Sequence, residues 1–109
     1  MSLETDLPYV ITLSAMADLK EIAQQTLIRW GEKQADIYSN KLDSCFEKIA
    51  RRRAVEKPFS KRFPQLECFK CEHHYIFFIR KHLPKPVIIA VLYEHMDVVS
   101  RLSKRLSRE

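Results

Sequence analysis

The order of its hydrophobic periods constrains this chain most. One short strand pattern is followed by two helix-period blocks meeting at Trp30-Gly31-Glu32, then by three strand-like runs. Tyr9, Ile11 and Leu13 alternate with Val10 and Thr12, which predicts a strand that Pro8 limits at its start. Ser14 stands where a helix cap is expected, and Leu19, Ile22, Ala23, Thr26, Leu27 and Trp30 recur at three- and four-residue steps. Gly31, the only glycine, falls just past that stripe, where a left-handed residue ends a helix at least cost. Ala35, Tyr38, Leu42, Cys45, Phe46 and Ile49 repeat the helical spacing, so an antiparallel helical hairpin is expected, with Trp30 and Tyr38 in its core. Residues 51–64, rich in arginine and lysine around Pro58 and Pro64, read as a basic connector.

Leu66 to Cys71 and His73 to Lys81 then read as two strands. The second carries Tyr75, Phe77 and Ile79 on one face and Ile76 and Phe78 on the other. Val87 to Tyr93 is an unbroken apolar run, as in an interior strand, and Asp97 precedes a short basic helix anchored by Leu102 and Leu106. The expected fold is α+β: a strand, a helical hairpin, antiparallel strands and a C-terminal helix, in one domain over 1–109.

Nineteen Lys and Arg against 14 Asp and Glu give a net charge of +5, which favours anionic partners without choosing among them. No apolar run approaches the ~20 residues of a membrane span. No basic segment followed by an apolar core opens the chain, so a cytoplasmic location and no membrane contact are expected. Three cysteines without a secretion signal fit reduced thiols better than a disulfide framework. Cys68-x-x-Cys71-x-His73-His74 holds a zinc-type donor set, but strand residues three apart point to opposite faces, so no metal and no cofactor are expected.

Ile11 to Ala15, Asp18-Leu19, Trp30-Gly31-Glu32, Tyr38, Leu42, Phe46, His74 to Phe78 and Val91 to Asp97 together resemble the ParE branch of the RelE/ParE toxin superfamily. The resemblance runs from Tyr9 to about Leu106. It implies the toxin half of a type II toxin–antitoxin module, also known as plasmid stabilisation, held inactive by a ParD-like antitoxin whose tail wraps it. It also implies a topoisomerase such as DNA gyrase as target, with nucleic acid touched only indirectly or through the antitoxin complex.

The antitoxin seat is expected across the sheet and hairpin, at Tyr75, Phe77, Ile79, Trp30 and Tyr38, because two short helices cannot cover every apolar strand face. Arg101, Lys104, Arg105 and Arg108 on the last helix are the expected target contacts, and charge reversal there is expected to leave the fold intact. Relatives of the RelE kind cut ribosome-bound mRNA, and Arg80, Tyr93 and His95 are the groups here that could clamp phosphate and move protons. The chain departs from those relatives in having Cys71 near where a strand arginine is expected. A third alternative is a non-toxic member that keeps only antitoxin binding.

Overall fold

The computed structural model describes residues 7–51, 57–61 and 63–107. Arg52, Arg53, Arg62 and Arg108 lie outside the described residues. The elements run β1 Val10–Ile11, α1 Leu13–Trp30, α2 Glu32–Ala50, β2 Lys57–Ser60, β3 Phe63–Cys71, β4 His74–Ile79, β5 Val87–Tyr93 and α3 Val98–Ser107. The fold is α+β, with the strands forming one mixed sheet in the order β1-β5-β4-β3-β2. Neighbours pair antiparallel except β1, which runs parallel to β5. The connector expected over 51–64 therefore contains an edge strand, β2, and the start of β3, and in β2 the single proline, Pro58, and Lys57 hide the alternation that would mark it.

β1 is shorter than its alternating pattern because Thr12, not Ser14, caps α1 by accepting the Ala15 N–H at 3.1 Å. Leu13 becomes the first helical residue and points to solvent, 87% exposed. Gly31, at φ 89°, ends α1 and begins α2, so the two helices reverse direction about a single residue. A Cβ there would meet no atom within 4 Å, so what the position asks for is the left-handed backbone, not space.

The hairpin covers one face of the sheet. Ala15, Leu42, Phe46 and Ile49 pack with Ile76, Phe78, Ile88 and Val91. On the other face Leu66, Phe77, Ile89 and Leu92 pack under Leu102 of α3, with Tyr75, Ile79, Met96, Val98 and Leu106 half-buried around them. The inward and outward sets on β4 follow the expected alternation. In β5, Phe77 pairs with Ala90 and Phe78 with Ile88, leaving Ile89 as the extra residue of a bulge.

Asp97 caps α3, as expected, by accepting the Ser100 N–H at 3.2 Å. Two of the three cysteines do not remain thiols: Cys45 of α2 and Cys71 at the end of β3 are joined as a disulfide. Both face the same buried layer, with Cα atoms 6.3 Å apart, a proximity created by packing between residues 26 apart in sequence. Cys68 is the free cysteine and lies in the opposite layer, so Cys68 and Cys71 do not converge as zinc ligands.

Candidate functional site

Burial along α1 stops at Thr26 and resumes at Ala35, so residues 27–34 are all exposed and the hairpin projects past the sheet. That projection carries Leu27, Ile28 and Trp30, 50%, 77% and 71% exposed. Trp30 is thus not a core residue. Its spacing fits the buried stripe, but the sheet ends before the helix does. A cluster of large apolar side chains in water, capping a helix pair, marks a contact surface.

Tyr38 sits where the hairpin meets the sheet, half-buried, and ties α2 to the β3–β4 turn. Its oxygen accepts the His73 N–H at 3.1 Å and shares a hydrogen bond with His74 Nδ1 at 2.6 Å. Burial holds the His74 pKa below the ordinary imidazole value, and burial likewise raises that of Tyr38. Both groups are neutral at pH 7. Glu94 pairs with Lys70 at 3.0 Å and His73 at 2.9 Å, and these contacts, Lys70 first, hold its carboxyl below the usual range. Tyr93 and His95 stack edge-on with ring centroids 5.2 Å apart, both solvent-exposed.

Arg80 is not part of that cluster. Tyr93 pairs with His74 at the start of β4, whereas Arg80 follows the end of β4, six residues and roughly 20 Å of strand away. There its guanidinium donates to the Ile49 carbonyl at the end of α2 and lies over the Phe78 ring. The three groups considered for RNA cleavage are therefore not assembled into one site. What joins Tyr38 to His73 and His74 was missed in the sequence, because the contacts link α2 to the start of β4 across 35 and 36 residues.

The last helix divides its cations. Arg101 and Lys104 are exposed, and Arg108 lies outside the described residues. Arg105 turns inward: its two terminal nitrogens donate to Asp18 of α1 at 2.6 and 3.0 Å, and one also reaches the Ile89 carbonyl at 3.1 Å. Asp18 in turn accepts the Val91 N–H at 2.9 Å. β1 pairs with β5 only at Val87 and Ile88, so Asp18 and Arg105 satisfy the β5 edge beyond it. Arg105 is thus a strut between α1, β5 and α3 rather than a free target contact, and reversing its charge would set two carboxylates together in a largely buried place. Phe77 is likewise fully buried beneath α3 and unavailable as an antitoxin contact, while Tyr75 and Ile79 are half-buried. Phe77 is buried from the α3 side and Ile76 and Phe78 from the hairpin side, so the apolar surface left on β4 is narrower than the open groove expected across the sheet.

The sequence pattern of the ParE toxin of type II toxin–antitoxin systems, parDE, matches residues 9–98. The chain is also 36% identical over 98 residues to the toxin ParE of Escherichia coli, covering 90% of this chain and 95% of that protein. The chain belongs to the ParE toxin family. A solved structure of the chromosomal ParDE system from P. aeruginosa shares the fold at a TM-score of 0.67 and 17% identity, over 78% of this chain and 92% of that one. As a ParE-type toxin of a type II module, the chain has the strand, hairpin, sheet and final helix the resemblance implies. Among its described residues no helix is long and apolar enough to cross a membrane.

Proposed function

We propose that this ParE-family chain poisons DNA gyrase by binding it in the cytoplasm, and that a cognate ParD-like antitoxin neutralises it by seating an amphipathic segment on the hairpin. The observation that carries the antitoxin reading is the exposed apolar tip formed by Leu27, Ile28 and Trp30, whereas Ile76, Phe77 and Phe78 of the sheet are buried by the chain itself. Trp30 keeps the role the sequence suggested for it, and the seat moves from the sheet to the helices. Action by binding rather than catalysis is supported by the separation of Arg80 from Tyr93 and His95 and by the neutral, mutually bonded state of Tyr38 and His74. Arg101 and Lys104 remain the exposed cations for an anionic target surface.

Induced expression without antitoxin is expected to stop growth and provoke the DNA-damage response, and co-expression of the antitoxin to restore growth. Prompt cleavage of translated mRNA at ribosomal A-sites would replace this reading with the ribonuclease one.

A further inference from the structure

The pairing of Cys45 with Cys71 plays no part in toxin or antitoxin binding as argued above, and the groove that leads to it has its own chemistry. Both residues are buried, 8% and 3% exposed, and their approach to solvent is a groove of about 580 Å³ between α2 and β3. Lys41, Lys48 and Lys70 line it against one carboxylate, Glu72. Lys41 pairs with Glu72 and Lys70 with Glu94, whereas Lys48, one helical turn past Cys45, makes no ion pair among the described residues. We propose that Cys45 and Cys71 form a reversible thiol–disulfide site, addressed through this groove by small disulfides and thiols that carry carboxylates.

Three observations carry the proposal. The Cα separation of 6.3 Å lies in the range that a disulfide spans without backbone movement. The reduced form is also accommodated, because the Lys41 carbonyl lies 3.6 Å from Cys71 Sγ and can accept from its thiol. The lysines lining the groove outnumber its one carboxylate and attract an anionic reagent to the buried sulfurs. Cys68 provides the contrast. It lies on the other sheet face, outside the lysine-lined groove, and its thiol, pushed up to about 11 by burial, stays protonated.

In the oxidising direction the Cys45 thiolate attacks one sulfur of the small disulfide, forming a mixed disulfide and expelling one thiolate, which takes up a proton. The Cys71 thiolate then attacks Cys45 Sγ, forming the protein bridge and expelling the second thiolate. Two protein thiols are oxidised, and two electrons and two protons leave in two small thiols. The reverse sequence reduces the bridge. The bridge fastens the middle of α2 to the last residue of β3, beside the turn that Tyr38 holds.

The test uses the full chain in buffers of varied reduced-to-oxidised glutathione ratio, quenched with an alkylating agent and weighed intact. The expected result is a native protein that passes between a form with one alkylated cysteine and a form with three, and a Cys71→Ser variant that accumulates one glutathione on Cys45. Lys48→Gln is expected to slow reaction with oxidised glutathione severalfold while leaving that with neutral 2-hydroxyethyl disulfide unchanged. A native protein that keeps all three thiols in excess oxidised glutathione overturns the proposal, as does a bridge that exchanges only after unfolding. Equal slowing of both reagents by Lys48→Gln overturns the anionic specificity.

Discussion

Asp18 and Arg105 show how little a charge in a sequence says about its use. Arg101 and Arg105 occupy the same basic helix, one turn apart, yet Arg105 is 22% exposed and bonded to a carboxylate 87 residues away. Only the packing of α3 across β5 separates the two roles, and that is not written in local pattern. Removing one partner of such a pair leaves an uncompensated charge, so Asp18→Ala or Arg105→Ala is expected to lower unfolding stability by about 3 kcal/mol or more in urea denaturation. Arg101→Ala should stay within roughly 0.5 kcal/mol of the parent. His74 gives a second expectation. Its folded pKa lies below the usual 6.5, so the unfolded chain binds more protons as pH falls through that value. Stability contributed by neutral His74 is therefore present above about pH 6.5 and is lost as the solution is acidified towards the folded pKa. His74→Gln should flatten the slope of stability between about pH 7 and 5, and an unchanged slope would show that His74 is not its source.

At the level of elements, the stripes and alternations that the sequence displays are those that pack. Leu42, Phe46 and Ile49 on α2, and the two faces of β4, lie where their periods place them. The departures occur where a period continues past its support. Thr26 and Trp30 share a helical face, but the sheet beneath ends between them, so one is half-buried and the other 71% exposed. Leu13 fits the β1 alternation, but the Thr12 side chain caps the helix first. Trp30 so exposed contributes little to the fold, and Trp30→Ala should leave stability within about 0.5 kcal/mol. Antitoxin affinity should fall by about 2 kcal/mol, roughly thirtyfold, in calorimetry. Unaltered affinity would move the antitoxin seat away from the hairpin tip.

Across the whole molecule, α3 packs on the sheet face that the strand pattern alone leaves open, and Phe77, one of the expected antitoxin contacts, is buried there beside Ile89 and Leu92. Of the contacts expected from the sequence, Trp30, Arg101 and Lys104 are exposed, whereas Phe77 and Arg105 hold the fold together, a division set by packing and not by local pattern. The Cys45–Cys71 bridge could not be read from spacing, because it depends on how α2 lies over β3. With Arg105 excluded, the informative charge reversal is Arg101→Glu with Lys104→Glu. That double variant is expected to keep its melting temperature and lose toxicity, since exposed charges act mainly through long-range attraction to a target. Full toxicity in a folded double variant would make α3 a solvated surface.

The most direct measurement is DNA supercoiling by purified gyrase in the presence of the purified chain. Supercoiling is expected to fall and gyrase-linked DNA breaks to accumulate as the chain is added, and equimolar antitoxin is expected to abolish both effects. Gyrase working at full rate with excess chain, while the same preparation cuts mRNA on translating ribosomes, would contradict this reading.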